Sequence, residues 1–512
     1  MKTLKRLVFL LSLLFTLNSL LYAQKKTFRE ELNELRERTR QLYEMSIKDS
    51  NYASNANEKS KPVNNSNIVT STNLPKNKKW TLEECIQYAI IKNLNIKQLQ
   101  LAQEEAEIQK NTAESSRLPN LNVSMRNEWS FGKSESLTGE FNDLNLSNTN
   151  IDVQSTMPVF TGFRIPNQIA RADLDFKAAT QNLEKAKEDL SIHITSLFLQ
   201  ANFYMELFNI SEKQLELSNM QVGKTKLLIQ AGNVPKSQLF DIEAQVAKDT
   251  VAAIEALNNY EIALLDLAQS LELERNAEFD IFFPVFEGDI ISMFIRSLQP
   301  PDIIYRNALT IKPAIKGQAY KVESARKTLK IAESGYYPQI DFFIGMGTRY
   351  HHIYKPSSQI NPITLEPIEL NPTFSKQISN YGAKYFGFSL TIPVFNRFQT
   401  QNQVRSAWVD ILNQQLILEN TKKSLYKEIQ TAYKNATAAL EKYRASERAV
   451  KSANESFEYV RKRYELGTAT VFEYNEARTR LIQSQSEQVQ AKYEFILRTK
   501  ILDFYNGTPI RL

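Results

Sequence analysis

A segment free of proline and glycine, between Phe398 and Leu466, constrains the fold of this chain more than any other feature. Those two residue types are the ones that most reliably interrupt a helix, so the segment can form one continuous helix. With a rise of 1.5 Å per residue, such a helix would be roughly 100 Å long. A compact globular domain does not need a helix several times its own thickness. The segment therefore predicts an assembly built on very long helices.

The apolar residues of this segment recur in steps of three, four or seven. Such a narrow seam indicates left-handed supercoiling against neighbouring helices. An amphipathic helix on an ordinary core would instead show a wider apolar stripe and end within about 20 residues. The pattern thus favours a long coiled coil. The seam residues are Leu418, Leu425, Ile429, Ala432, Ala436, Ala439, Tyr443, Val450, Ala453, Phe457, Val460 and Tyr464.

The same pattern occurs twice in the chain, and equivalent residues of the two copies keep a constant spacing over long stretches. Before the strand region, each residue of the first copy is separated from its equivalent in the second copy by the same number of residues. After the strand region the separation is again constant, but it is larger. The increase predicts an insertion in the second copy between Pro338 and Pro393. The equivalent pairs are Ala89 and Ala308, Pro119 and Pro338, Pro158 and Pro393, and Gly232 and Gly467.

Between the helices of each copy the apolar period changes to two, which is typical of β-strands. Each copy has two such stretches, which predicts four strands of about nine to eleven residues, as in outer-membrane barrels. A half-buried soluble sheet would show the same alternation. The apolar positions are Leu121, Val123 and Met125; Ile151 and Val153; Ile340, Phe342, Ile344 and Met346; and Phe386, Phe388, Leu390 and Ile392.

Closure separates these two interpretations. Four strands in lipid would leave open edges whose backbone groups lack hydrogen-bond partners, and only a closed barrel avoids that cost. If the strands span a membrane, two chains would give about eight strands and three about twelve, and a channel coaxial with helices favours the wider barrel. We therefore expect a mainly α chain with internally repeated long coiled-coil helices and, if its four strands span a membrane, a closed β-barrel shared between chains, in which twelve strands are favoured over eight.

The first 23 residues have the pattern of a secretory signal peptide, because Lys2, Lys5 and Arg6 precede an apolar run that ends near Ala23. Export is therefore expected, and a retained membrane anchor is the alternative. Loss of those three charges would lower the formal charge from +6 to about +3, a balance that suggests neither nucleic acid nor an acidic partner. The single cysteine, Cys85, excludes an intramolecular disulfide.

The expected organisation follows from these patterns. It comprises a signal peptide (1–23), a polar extension or linker (24–79), a first repeat (80–273) with its β-hairpin at 119–158, a connector (274–301), a second repeat (302–507) with its β-hairpin at 338–393, and a short tail (508–512). The first repeat opens at Thr81 and Glu84, whose spacing is that of a capping box and predicts a helix extending to about Ser116.

Export also predicts the orientation of the chain. Each hairpin leaves the periplasmic side and returns to it, so the long helices lie in the periplasm and the hairpin tips, 133–148 and 351–380, face outward. His351 and His352 begin the second tip. Since no second ligand cluster accompanies them at a recognisable spacing, a polar surface loop is favoured over a metal site.

The paired Pro-Val-Phe strand ends, the long helices turning at Gly232 and Gly467, and the two-fold repeat over Trp80–Gly507 resemble the TolC family of outer-membrane efflux proteins. The resemblance implies a homotrimer in the outer membrane, in which the four β-strands of each chain contribute to a trimeric 12-stranded β-barrel in the lipid and the coiled-coil helices form an α-barrel, a helical tunnel that extends into the periplasm. It also implies two partners, a periplasmic adaptor (membrane fusion protein) and an inner-membrane transporter.

The same resemblance implies an entrance at the helix turns. Tyr464 matches a tyrosine of the family's gate, whereas Ala469 replaces an expected arginine and Gln238 an expected acidic residue. Glu473 and Glu476 match an acidic ring that selects cations; in three chains six carboxylates would converge and some of their pKa values would rise. Further entrance candidates are Gly232, Asp241 and Gly467, and the expected strand-to-helix turns are Pro158, Phe160, Pro393 and Phe395.

No pattern in the chain indicates catalysis, a cofactor or a metal site. It has three histidines, one cysteine, no Gly-rich phosphate loop and no nucleophile elbow. The favoured function is a passive exit duct of a tripartite efflux or type I secretion system, conducting small molecules or proteins from the pump to the exterior. The alternative is a periplasmic coiled-coil scaffold or adaptor protein without a pore.

Overall fold

The computed structural model describes residues 79–135, 141–143, 145–232, 234–273, 279–282, 298–354 and 371–508, and a few separate residues. The chain divides into two compact units, 1–74 and 75–512. In the first unit, Glu30, Asn33, Glu37 and Arg40 are described, and they are helical and exposed. The expected signal peptide, nearly all of the polar extension, much of the connector and most of the tail lie outside the described residues.

The second unit contains two series of elements that repeat each other. The first series is β1 (Lys79–Trp80), α1 (Leu82–Lys92), α2 (Leu94–Ser115), β2 (Asn122–Ser130), β3 (Lys133–Glu135), β4 (Phe141–Asp143), β5 (Asn145–Phe160), α3 (Arg164–Gln230) and α4 (Ser237–Ser270). The second is β6 (Asp280–Ile281), α5 (Pro301–Ile311), α6 (Pro313–Glu333), β7 (Gln339–Tyr354), α7 (Phe374–Asn380), β8 (Ala383–Thr391), α8 (Gln399–Glu465) and α9 (Val471–Asn506).

The predicted continuous helices are confirmed, and both copies have the same length. Helices α3 and α8 each contain 67 residues, which corresponds to about 100 Å. Each ends in a turn at a glycine with positive φ, +75° at Gly232 and +74° at Gly467. Most of the predicted seam of α8 is buried, including Ile429, Ala436 and Phe457. The return helices α4 and α9 pack along α3 and α8 respectively.

The single helix expected from Thr81 to about Ser116 is wrong, because the chain breaks at Asn93. The capping box of Thr81 and Glu84 is confirmed and opens α1. Asn93 then has an extended ψ of 129°, and its Oδ1 accepts hydrogen bonds from the backbone N–H groups of Asn95 and Ile96, at 3.0 and 3.2 Å. A new N-cap therefore starts α2 one residue after α1 ends.

The second copy breaks at the equivalent residue, Lys312, by different chemistry. Pro313 occupies the first turn of α6, where its missing N–H costs nothing, and it forces Lys312 into an extended conformation. The Lys312 side chain is buried, pairs with Glu188 at 3.2 Å and lies 3.3 Å from the ring centroid of Phe504. Burial lowers its pKa below the ordinary lysine value, and the carboxylate opposes that shift.

The four predicted strands form one antiparallel sheet in the order β2-β5-β7-β8. Strands β2 and β8 have nine residues, within the expected range, but β5 and β7 have 16. They are longer because they pair with each other along almost their whole length. Two expectations are therefore wrong: Pro158 and Phe160 lie in β5 rather than in a turn, and His351 and His352 lie in β7 rather than in a loop.

Amide side chains replace a strand where β7 extends beyond β8. Gln377, on the short helix α7, accepts a hydrogen bond from the N–H of His351 and donates one to its carbonyl, both at 2.9 Å. Asn371 does the same for Ile353, at 2.8 and 2.9 Å. Both side chains thus satisfy backbone groups that a neighbouring strand would otherwise satisfy. The described segment 371–380 is thereby fixed to β7.

The two faces of this sheet differ in chemistry. One face is apolar and exposed: Phe386 and Phe388 are 76% and 69% exposed, and Phe388 lies opposite Phe342. The same face continues through Val123 and Met125 of β2. The register places on the opposite face Asn122, Ser124, Arg126, Asp152, Gln154, Asp341, Tyr385 and Ser389.

The helices repeat the order of the strands. Helix α2 packs on α3, α3 on α6, and α6 on α8. Each of these helices adjoins the strand in the corresponding position of the sheet, so α2 and α8 are the two edges of the helical layer, as β2 and β8 are the edges of the sheet. In the part of the chain that the structure describes, no helix is both long enough and apolar enough to cross a membrane.

The passage from strand to long helix has the same geometry in both copies. Phe163 and Phe398, the residues before α3 and α8, have φ of 64° and 59°. Their rings meet those of Phe160 and Phe395 edge to face, at 5.3 and 5.5 Å. Positive φ is unfavourable for such bulky residues, so the surrounding packing imposes it. In the first copy Gly162, with φ of 61°, lies so close to the turn after α6 that a Cβ atom would be 2.7 Å from the carbonyl oxygen of Ser334.

We expect Gly162→Ala to destabilise the protein more than Gly232→Ala does. Both substitutions put a side chain at positive φ, which costs about 1–2 kcal/mol, but only Gly162 also meets backbone, because nothing lies within 4 Å of a Cβ at Gly232. The melting temperature of the detergent-extracted protein measures the difference. Equal decreases in melting temperature for the two variants would show that the contact with Ser334 does not add to the destabilisation.

Candidate channel entrance

The two long hairpins end in turns that carry most of the expected entrance residues. After α8, the N–H of Gly467 donates to the carbonyl of Tyr464 at 3.0 Å, and the N–H of Thr468 donates to the carbonyl of Arg463 at 2.8 Å. The positive φ of Gly467 permits this tight ending, which is common at helix C-termini. Gly232 has the equivalent role after α3, and both glycines are exposed.

Tyr464 joins the two hairpins. Its ring lies 4.9 Å from that of Tyr474 on α9, and Tyr474 in turn lies 5.4 Å from Phe457 on α8. The Tyr464 hydroxyl accepts a hydrogen bond from Nε2 of Gln221, on α3, at 3.4 Å. The tyrosine expected at the gate therefore packs inside its own hairpin while its hydroxyl contacts the other one.

Glu473 closes a capping box at the start of α9. Its Oε2 accepts hydrogen bonds from the N–H of Thr470 at 2.7 Å and from the Thr470 hydroxyl at 3.1 Å, while the Thr470 hydroxyl accepts from the N–H of Glu473 at 3.2 Å. These bonds, the backbone one above all, hold the pKa of Glu473 below its ordinary value. Within one chain this is the opposite of the rise expected for converging carboxylates.

The other expected entrance residues are exposed or half-buried. Glu476 is exposed and accepts a hydrogen bond from Arg480 at 3.0 Å, one helical turn farther along α9. Gln238 is half-buried in the first turn of α4, and Asp241 is exposed on the same helix. Ala469 lies in the turn between α8 and α9. Each hairpin thus brings polar groups to the same end of the helices.

A buried polar cluster close to this end is absent from the sequence expectations. It consists of Arg478 on α9, Asp249 on α4 and Ser218 on α3; the Arg478 guanidinium donates to Asp249 and, at 2.6 Å, to the Ser218 hydroxyl. The Ser218 hydroxyl also donates to Asp249. All three residues are buried. We call these residues the Arg478 cluster.

A signal for this cluster exists in the sequence. Arg478 lies at seam spacing from Tyr474 and Leu481, both of which are buried, and Asp249 lies seven residues after the buried Ile242. A charged residue at a seam position of a coiled coil needs a partner, since an unpaired buried charge is costly. The partner could not be identified, because Ser218 and Arg478 are 260 residues apart in the chain.

Comparison with protein-family models identifies two matching segments. The family described as outer membrane efflux protein matches residues 85–272 and 304–503. The two segments coincide with the two repeats. The chain is also 21% identical over 395 residues to outer membrane protein TolC of Escherichia coli (strain K12), which covers 76% of this chain and 74% of that protein.

Other proteins similar to this chain are also outer-membrane efflux proteins or channels. The outer membrane efflux protein BepC of Brucella suis biovar 1 (strain 1330) is 18% identical over 356 residues, covering 69% of this chain and 70% of that protein. The CmeC outer membrane channel of Campylobacter jejuni has a TM-score of 0.65 at 17% identity, over 83% of this chain and 86% of its own. The open-state MtrE outer membrane channel of Neisseria gonorrhoeae has a TM-score of 0.63 at 15% identity, over 83% and 89%. The solved structures share the fold.

We expect Thr470→Ala to loosen the first turn of α9, because the substitution removes both hydroxyl bonds of the capping box. Loss of a threonine N-cap costs about 1 kcal/mol, so amide exchange in residues 471–474 should accelerate about fivefold at neutral pH. Hydrogen exchange with mass spectrometry measures the exchange rates of these amides. Thr470→Ser keeps the hydroxyl and should exchange like the wild type; equal acceleration in both variants would contradict the capping role.

Proposed function

Because this chain belongs to the outer membrane efflux protein family, we propose that it is the outer-membrane exit duct of a tripartite efflux or type I secretion system. It conducts small molecules or proteins passively from a pump to the exterior. The observation that carries the proposal is a four-stranded sheet with one exposed apolar face and, among the described residues, two unpaired edges. A soluble scaffold would not expose Val123, Phe386 and Phe388 together on one face.

The proposed assembly is a homotrimer. In lipid the free edges of β2 and β8 must be paired, and pairing β2 of one copy with β8 of the next closes a barrel. Three copies give twelve strands, about the width needed to continue a helical tunnel. The polar face that includes Arg126, Asp152 and Ser389 then lines the lumen, and the apolar face meets lipid.

The edge helices support the same contact between copies. Closing β2 against β8 brings α2 of one copy beside α8 of the next, because α2 leads into β2 and α8 follows β8. Both helices carry exposed apolar stripes. The residues are Leu94, Leu101 and Ile108 on α2, at heptad spacing, and Trp408, Leu412 and Leu416 on α8.

The heights of the two stripes match. Ile108 and Leu101 lie about 10 and 21 Å from the strand end of α2, and Trp408 and Leu412 lie about 14 and 20 Å from the strand end of α8, at 1.5 Å per residue. Heptad-spaced leucines on one helix and a stripe of similar height on the other are what an interhelical seam requires. We propose that these stripes pack together in the trimer.

The periplasmic end is proposed as the entrance, and the partners are a periplasmic adaptor and an inner-membrane transporter that supplies the energy. In this assembly Gly232, Gln238, Asp241, Tyr464 and Gly467 surround the pore, and three copies of Glu473 and Glu476 supply six carboxylates. The chain itself performs no catalysis in this proposal. Residues 1–23 are proposed as the signal peptide that directs export.

The trimer is tested by native mass spectrometry of protein extracted from outer membranes in mild detergent. We expect a trimer for the wild type and predominantly monomer for Leu101→Glu, since the carboxylate enters the apolar seam. Gln100→Glu is the matched control, because it adds the same charge to the neighbouring exposed residue about 100° around the helix. A wild-type monomer that is soluble without detergent would favour the scaffold; a trimeric Leu101→Glu would reject the seam.

The acidic ring is tested by single-channel recording in planar bilayers. Glu476→Gln removes an exposed carboxylate and should lower the preference for cations over anions. Glu473→Gln should have a smaller effect on folding than Thr470→Ala, since glutamine also closes a capping box. Unchanged ion selectivity in the Glu473→Gln, Glu476→Gln double variant would remove the acidic-ring proposal while leaving the channel intact.

A further inference from the structure

All three glycines of strands β7 and β8 lie on the polar face of the sheet. They are Gly345, Gly347 and Gly387, and the register places Gly345 opposite Tyr385 and Gly387 opposite Phe343. A glycine inside a strand weakens the strand and often marks a place where other atoms approach the backbone closely. Their common face therefore indicates that side chains on this face need the space that Cβ atoms would fill.

The Tyr385 side chain crosses β7 and reaches β5. Its hydroxyl donates to Asp152 and lies 2.9 and 3.1 Å from the two carboxylate oxygens. Asp152 belongs to β5, two strands away from β8 in the sheet, or about 10 Å across it. A side chain that stood perpendicular to the sheet, as is usual in strands, could not make this hydrogen bond. The tyrosine ring therefore lies along the surface of the sheet, over β7.

Glycine provides the space for this arrangement. A Cβ atom at Gly345 would lie 2.5 Å from Cζ of Tyr385 and 2.6 Å from its hydroxyl oxygen, and a Cβ atom at Gly347 would lie 2.9 Å from Oδ1 of Asp152. Carbon atoms pack at about 3.5–4.0 Å, so an alanine at position 345 and the tyrosine ring cannot both keep these positions. Because the atoms in conflict are at the far end of the tyrosine side chain, the ring would move rather than the backbone.

Phe343 repeats the arrangement in the opposite direction. It lies on β7 and its ring leans over β8, where a Cβ atom at Gly387 would lie 2.9 Å from Cζ of the ring. The ring centroids of Phe343 and Tyr385 are 6.2 Å apart. An aromatic ring packed over a glycine of the neighbouring strand also fixes the register of the two strands. Two aromatic rings thus lie side by side against the polar face of the sheet.

We propose that Gly345 and Gly387 set the width of the barrel lumen, because they let the Tyr385 and Phe343 rings lie flat against the wall. This inference rests on the proposed trimeric channel, in which the polar face lines the lumen. Rings on the inner side of a closed barrel can leave the wall only toward the axis. Three copies bring six rings to this part of the lumen, so the position of the rings determines the largest cargo that the barrel passes.

Single-channel recording with polyethylene glycols of graded size, added on the side of the hairpin tips, tests the proposal. A polymer that enters the lumen lowers the conductance, whereas an excluded polymer does not. For Gly345→Ala we expect a smaller size limit than for the wild type, since three tyrosine rings move into the lumen. Gly387→Ala should lower the limit less, because its Cβ atom meets only the tip of the Phe343 ring. If Gly345→Ala does not fold, this milder variant still tests the proposal.

Two further variants separate movement of the rings from distortion of the sheet. Gly132→Ala is the matched control, because nothing lies within 4 Å of a Cβ atom there, and it should keep the wild-type size limit. Adding Tyr385→Ala to Gly345→Ala removes the displaced ring and should restore at least the wild-type limit. A double variant as narrow as Gly345→Ala would show that the ring does not cause the narrowing and would overturn the proposal.

The two proposals can fail separately. A wild type that forms neither a trimer nor a conducting channel would reject the proposed function. A wild type that conducts, combined with Gly345→Ala and Gly387→Ala trimers that admit the same polymers as the wild type, would reject only the role of these glycines in setting the width of the lumen.

Discussion

Backbone hydrogen bonding at the two edges of a four-stranded sheet is the constraint on which the rest of this structure depends. Within the described part of the chain, strands β2 and β8 each pair on one side only, while the apolar face they share is the one expected to meet lipid. Lipid offers no hydrogen bonds to an open edge, so one chain cannot form a complete membrane-spanning unit. The edge helices α2 and α8 adjoin the edge strands, and their exposed apolar stripes are the surfaces that we propose to pack against a neighbouring copy.

Duplication produces the same geometry from different side-chain chemistry. The break before α2 depends on the side chain of Asn93, whereas the break before α6 depends on the restricted backbone around Pro313. By contrast, both long helices are preceded by the same structural feature. It is a phenylalanine with positive φ whose ring packs on a second phenylalanine three residues earlier. Identical helix lengths of 67 residues in the two copies keep their turns at the same level. Both turns can therefore contribute to one entrance.

The turn end of the long helices, which we propose as the entrance, has two kinds of charged group. On the surface, Glu473 is bound by the capping box of Thr470 and Glu476 by Arg480, so both carboxylates have partners within their own hairpin. Inside, Arg478 and Asp249 are buried and joined across two hairpins. Exposed groups can interact with passing ions because water and salt surround them, whereas the buried pair responds chiefly to movement of the helices. Helix α9 thus carries both exposed carboxylates and a buried charged residue close to its turn.

The sequence by itself determined the repeat, the two long helices, the seam of α8, the four strands and the glycine turns, because each of these depends on local periodicity or on residues that interrupt a helix. It did not determine the breaks at Asn93 and Lys312 or the full length of β5 and β7, since those depend on capping geometry and on pairing between strands from different copies of the repeat. The seam spacing of Arg478 indicates a buried charge, but only the tertiary structure decided which residues pair with it. A charged residue in a long helix is usually solvated, and only the packing of α3 and α4 against α9 buries Arg478 beside Asp249 and Ser218.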